Sequence, residues 1–116
     1  MSSFSSFSIR VDGLPKTKAR PRLGRRRRVY TPQATLDAEA IIAEAWVAAG
    51  GPCFEGPVHM DVQYDKLGQT VTITEVADGS KMRGDLDNYV KLTGDALNGI
   101  AFKDDRQVVA ITATKH

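Results

Sequence analysis

Asp85, Asp87, Asp104 and Asp105 crowd the last third of this 116-residue chain, and Lys91 follows Asp87 by four positions. Carboxylates that converge from two places in a chain repel one another, or one takes up a proton, unless a cation lies between them. Magnesium suits such an oxygen set, since it takes a tight octahedron of one or two carboxylates with waters and substrate phosphates. A metal so held supplies both an activated water and a stabiliser for the charge that builds on a phosphodiester under attack. Lys91 shares a helix face with Asp87, where it could neutralise a scissile phosphate or hold the attacking water.

Plainer readings stand beside this one. Asp85 alone is simply a helix N-cap, accepting backbone N–H bonds and favouring the dipole. Asp87 with Lys91 is also an ordinary i, i+4 ion pair, worth about 0.3–0.5 kcal/mol. Asp104–Asp105 reads equally as a solvated turn. Asp95, one turn beyond Lys91, reads as its ion-pair partner rather than as a catalytic group.

The elements that must position these residues follow from periodicity. Phe7, Ile9 and Val11 alternate with polar neighbours, as in a half-buried strand. From Gly13 to Arg28 the chain is basic, with Gly and Pro and no apolar period, so 13–28 reads as a flexible loop. Thr31–Pro32 is a helix start. Ala-rich sequence then runs to Ala49, with Leu36, Ala40, Ala43 and Val47 on one stripe and Ala38, Ile42, Ala45 and Trp46 beside it. Gly50–Gly51–Pro52 ends it. Val58, Met60, Val62 and Tyr64 alternate in a second strand, Val71 and Ile73 mark a third, and Lys66–Leu67–Gly68 is the turn between them. A second helix runs from about Leu86 to Leu97 or Asn98, turns Leu86, Tyr89 or Val90, Thr93 and Leu97 to the core, and stops before Gly99. Gly94 within it suggests a close packing neighbour. Val108 to Thr114 is β-branched and reads as the final strand. The order β–α–β–β–α–β predicts an α+β fold: one domain, with a mixed β-sheet packed against two helices. A helix of about 12 residues is roughly 18 Å long, so the acidic groups can meet only if the last strand pairs near the helix entry and carries Asp105 there.

Charge is distributed unevenly. Residues 1–30 hold nine basic residues against Asp12, giving +8, and the remainder carries −6. A basic arm suits a polyanion and an acidic body suits cations or protons. Lys16, Lys18, Arg20, Arg22, Arg25, Arg26, Arg27 and Arg28 are candidate phosphate contacts, with Lys81 and Arg83 ahead of Asp85 as weaker ones. The alternatives are a solvated tail or an arginine-rich RNA-binding segment. No apolar run reaches the roughly 20 residues that span a bilayer, and the first residues do not read as a signal peptide. Cys53 has no thiol partner, so a reduced, cytoplasmic setting is the simplest expectation. Trp46 and Phe102 read as packing residues rather than DNA wedges, and His59 and His116 have no partner suggesting zinc.

Asp-Leu-Asp-Asn-Tyr-Val-Lys at 85–91, Asp-Ala-Leu-Asn-Gly at 95–99 and Lys-Asp-Asp-Arg-Gln-Val at 103–108 together resemble the RusA family of Holliday-junction resolvases. Gly-Leu-Pro-Lys-Thr-Lys-Ala-Arg-Pro-Arg at 13–22 and Val-Tyr-Thr-Pro at 29–32 look like that family's basic motif. The resemblance covers nearly the whole chain, 1–116, in the right order. It implies a homodimer that cuts four-way or other branched DNA with paired nicks, using Mg2+ or Mn2+. It places the metal aspartates on Asp85, Asp87 and Asp105, with Asp104 as the adjacent candidate, and the catalytic lysine on Lys91. Two alternatives remain: a nucleic-acid-binding protein of the same fold without cleavage, and a nuclease indifferent to branching. The chain ends sooner after the last motif than many relatives do, which bears on how the sheet edge is finished and on the dimer contact.

Overall fold

Period-two alternation becomes sheet where the sequence shows it most plainly. The computed structural model describes residues 5–18, 22–23 and 29–116. The chain divides into two compact units, Met1–Ala77 and Asp78–His116.

The first unit carries β1 (Ser6–Asp12), β2 (Arg22–Leu23), β3 (Val29–Tyr30), α1 (Gln33–Ala48), β4 (Val58–Asp65) and β5 (Gly68–Glu75). Its three-stranded sheet has the order β1-β5-β4. Both ladders are antiparallel, with Ile9 opposite Val71 and Val62 opposite Val71. Residues in register share a face, so Phe7 and Met60 flank Ile73 in the same way. The buried core is Ile9, Val11 and Val71, with Phe7, Ile42, Ala45, Trp46, Val62 and Ile73 packed against it. Phe7 and Trp46 meet edge to face at 5.1 Å between ring centroids, the geometry their quadrupoles favour. The Trp46 indole N–H donates to the Pro52 carbonyl at 2.9 Å.

Helix α1 begins one residue later than the sequence suggests. Pro32 occupies the N-cap position, and no side chain caps the helix. Its inner stripe is Thr35, Ala38, Ile42, Ala45 and Trp46, whereas Leu36 and Val47 lie exposed. With Ala at so many positions, the apolar stripe is broad, and its bulkiest members, Ile42 and Trp46, decide which side packs. The helix ends as expected: Gly50 N–H reaches the Val47 carbonyl and Gly51 N–H the Trp46 carbonyl. That pair of bonds is a Schellman motif, and its left-handed residue is Gly50 at φ 79°. Inside the stretch expected to be a basic loop, β2 pairs antiparallel with β3.

The second unit carries α2 (Leu86–Leu97) and a 3-10 turn, Asp105–Gln107. Asp85 is the N-cap residue of α2 and Asn98 its C-cap, and Gly99 follows at φ 84°, where a C′ glycine was expected. A single bridge joins Asn98 to Phe102.

The α+β class holds, with two helices and the order β–α–β–β–α. The expected last strand does not: Val108–Thr114 forms no strand. β-branched alternation is only a capacity for pairing, and no described strand of the second unit offers that segment a ladder. Among the described residues the strand ladders are antiparallel.

Candidate active site

Asp85 and Asp87 are placed by the start of α2. Asp85 has extended backbone at φ −82° and ψ 139°, and its side chain makes no capping hydrogen bond. The N-cap explanation for its carboxylate is therefore not realised, and both carboxylates stand exposed at the positive end of the helix dipole. The approach to the helix is pinned from behind. The Tyr89 hydroxyl donates to the Arg83 carbonyl, and Lys115 Nζ donates to the Gly84 carbonyl at 3.0 Å. Ser80 Oγ donates to the His116 carbonyl at 2.8 Å and accepts from Met82 N–H at 3.0 Å. The last two residues of the chain thus tie down the loop that delivers Asp85. No sequence signal announces these bonds.

Asp104 and Asp105 are adjacent but differ in their surroundings. Asp104 Oδ1 accepts from the Arg106 backbone N–H at 2.8 Å and from Arg106 Nε at 3.2 Å. The Gln107 side-chain oxygen accepts from Lys103 N–H at 2.7 Å and Asp104 N–H at 3.0 Å. Asp104 and Gln107 together form a capping box around the 3-10 turn. The Arg106 amide, followed by its guanidinium, holds the Asp104 carboxyl below the ordinary aspartate value. Asp105 is the first residue of that turn and is exposed. The Asp-x-x-Gln spacing at 104–107 is a capping signature visible in the sequence itself.

Asp105, Lys91 and Asp95 line one groove of about 720 Å³ in the second unit, whose walls include Leu86, Tyr89 and Phe102. The face assigned to α2 by periodicity is largely the face that forms this groove. Among the described residues Lys91 makes no ion pair, so neither Asp87 nor Asp95 neutralises it. That corrects the reading of Asp95 as its salt-bridge partner and leaves an ammonium free to meet a phosphate. Gly94 also lines the groove, and a Cβ there would meet nothing within 4 Å. The glycine leaves space rather than admitting a close neighbour.

Convergence of the carboxylates is a separate question. Among the described residues no group of three His, Cys, Asp or Glu side chains is placed to hold a metal ion. Asp85, Asp87 and Asp105 are therefore not gathered into one three-carboxylate group in this arrangement. The route expected to unite them, a strand carrying Asp105 to the helix entry, is absent, and a turn carries Asp105 instead.

Of the candidate phosphate contacts, Lys16 and Lys18 are exposed beside a small groove against α1, with Thr17, Thr35 and Glu39. Lys81 and Arg83 are exposed on the loop before Asp85. Arg22 is described only in the course of β2, and Arg20, Arg25, Arg26, Arg27 and Arg28 lie outside the described residues. No helix is long and apolar enough to cross a membrane among the described residues.

The family described as Endodeoxyribonuclease RusA matches residues 12–116, and the chain belongs to that family. It is 38% identical over 69 residues to the uncharacterized protein YqaN of Bacillus subtilis (strain 168), an overlap covering 52% of this chain. The chain spans about half, 49%, of that curated relative's length. No solved structure matches it.

Proposed function

We propose that this chain is a structure-specific endonuclease that resolves Holliday junctions and related branched DNA by metal-dependent phosphodiester hydrolysis. The observation that carries the reading is the family match over residues 12–116, with the acidic and basic motifs intact within it. The free Lys91 ammonium in the groove beside Asp105 supports it, since a phosphate entering there meets an unpaired cation. Asp85, Asp87 and Asp105 are the assigned ligands for Mg2+, with Mn2+ as a substitute, and Lys91 is assigned to the phosphate. Lys16, Lys18, Arg20, Arg22, Arg25, Arg26, Arg27, Arg28, Lys81 and Arg83 are assigned to the DNA arms. They would read backbone and branch shape, since nothing in the sequence resembles a base-reading helix. A two-fold symmetric pair of copies matches the symmetry of a four-way junction and accounts for paired nicks.

A second reading, a DNA-binding protein of this fold that does not cleave, is favoured by the lack of a ready-made metal cluster among the described residues. One experiment separates them. The chain is incubated with a labelled four-way junction or a matched linear duplex, in Mg2+ or in EDTA. Metal-dependent paired nicks in the junction alone are expected. Tight junction binding without cutting would favour the second reading, and equal cutting of both substrates would remove the selectivity for branches.

A further inference from the structure

The two aspartates at 104 and 105 look interchangeable in sequence, yet the turn gives them opposite tasks. The close partners of the Asp104 carboxylate all lie within two residues: the Arg106 amide and guanidinium, both reached through Oδ1, and the neighbouring Asp105 carboxyl. Gln107 closes the turn from the other side through the amides of Lys103 and Asp104. Three bonds from these two side chains thus reach backbone N–H groups on both flanks of Asp105. Asp105, in contrast, lines the groove together with Lys91, and neither of the two makes an ion pair among the described residues.

We propose that Asp104 and Gln107 are positioning residues, a reciprocal cap that holds the turn in the one conformation presenting Asp105 to the groove beside Lys91, and that the Asp104 carboxylate takes no part in the chemistry itself. This rests on the endonuclease reading above. The cap needs an acceptor oxygen at position 104 and does not need its charge. Asn and Ser are as good as Asp at that task, whereas Ala is not. A carboxylate that touched a reacting atom or its cation would not tolerate that exchange.

The test uses the full chain with Asp104→Ala, Asp104→Asn, Asp104→Ser and Gln107→Ala. Three quantities are read: junction affinity in EDTA, single-turnover cleavage in Mg2+, and hydrogen exchange at the Arg106 amide. Asp104→Asn and Asp104→Ser should cleave within about threefold of the parent and keep the Arg106 amide protected. Asp104→Ala should cleave at least tenfold more slowly with unchanged junction affinity and lose that protection. Gln107→Ala should slow cleavage by a similar factor, and combining it with Asp104→Ala should add little, because both break one unit. Asp104→Asn cleaving as poorly as Asp104→Ala while the Arg106 amide stays protected would overturn the proposal. So would Asp104→Ala at parental rate. If the parent chain cuts no junction, the endonuclease reading fails by itself. The positioning claim is then decided by the NMR signals of Asp105: a shift on Asp104→Ala that Asp104→Ser reverses sustains it, and unmoved signals overturn it.

Discussion

Arg10 Nη2 lies 3.0 Å from Asp65 Oδ1, so the first strand is tied by an ion pair to the turn between β4 and β5. The same oxygen accepts the backbone N–H groups of Leu67 and Gly68 at 2.8 and 2.9 Å, so Asp65 also shapes that turn in the manner of an Asx side chain. The Arg10 hydrogen bond, then the Leu67 amide, hold the Asp65 carboxyl below its ordinary value. A carboxyl depressed in the folded state stabilises the fold above its unfolded pKa, near 3.9 for aspartate, and loses that contribution as pH falls through the lower folded value. Asp65→Asn should therefore be less stable than the parent from pH 5 to 7, with the gap narrowing below about pH 4. Urea midpoints measured at each pH check this, and a gap that stays constant to pH 2 would remove the ion pair as its cause.

Gly68 is required by a close approach. A Cβ built there would collide with the Val11 carbonyl oxygen of the neighbouring strand. Gly68→Ala must push β1 away from β5 exactly where Val11 is buried. A loss of roughly 1–3 kcal/mol is expected, the usual range for overpacking, measured by urea unfolding. Gly56→Ala, where a Cβ meets nothing within 4 Å, serves as the control and should change stability little.

For the assigned chemistry, Asp87→Asn and Lys91→Ala should leave junction affinity in EDTA near parental. Cleavage should drop by about a hundredfold or more, the scale seen when a group stabilising transition-state charge is removed. Single-turnover assays with a labelled junction measure both quantities. Substantial residual cutting by Asp87→Asn would take Asp87 out of the catalytic set.

The basic segment is testable without cleavage. If Z cations of the amino-terminal segment and the Lys81–Arg83 loop contact phosphates, log affinity falls with log salt at a slope of about −0.9 Z. Each of Lys16→Ala and Lys18→Ala should reduce that slope by roughly one if the residue contacts duplex phosphate. Affinity titrations in EDTA at several salt concentrations read this directly, and an unchanged slope returns the residue to ordinary surface.

Much of the architecture was legible because its signals are local. The alternation through Val58–Tyr64, the turn at Lys66–Leu67 and the double glycine after Ala49 each specify a neighbour within a few residues. What escaped depends on partners elsewhere in the chain. Val108–Thr114 has strand composition, and no described strand of its own unit is there to pair with it. The inner face of α1 could not be chosen among so many alanines until β1 supplied Phe7 for Trp46. At the site, the positions of Asp85 and Asp87 at a helix entry were readable, and so was the family pattern. The division of labour between Asp104 and Asp105 was not, because it turns on which oxygen the Arg106 amide meets.

The sheet order β1-β5-β4 also dictates when this protein can assemble. The β4–β5 hairpin closes over a two-residue turn, an event on a scale of about 1–10 μs, whereas Ser8 reaches the Val71 carbonyl from 63 positions away. At synthesis rates of roughly 5–20 residues per second, β1 leaves the ribosome and waits several seconds before its partner strand exists. Ile9 and Val11 have no β5 to bury against through that interval, and the β4–β5 hairpin has the shorter loop to close. Pairing of β1 with β5 closes the longest loop in this sheet and so carries its largest chain-entropy cost.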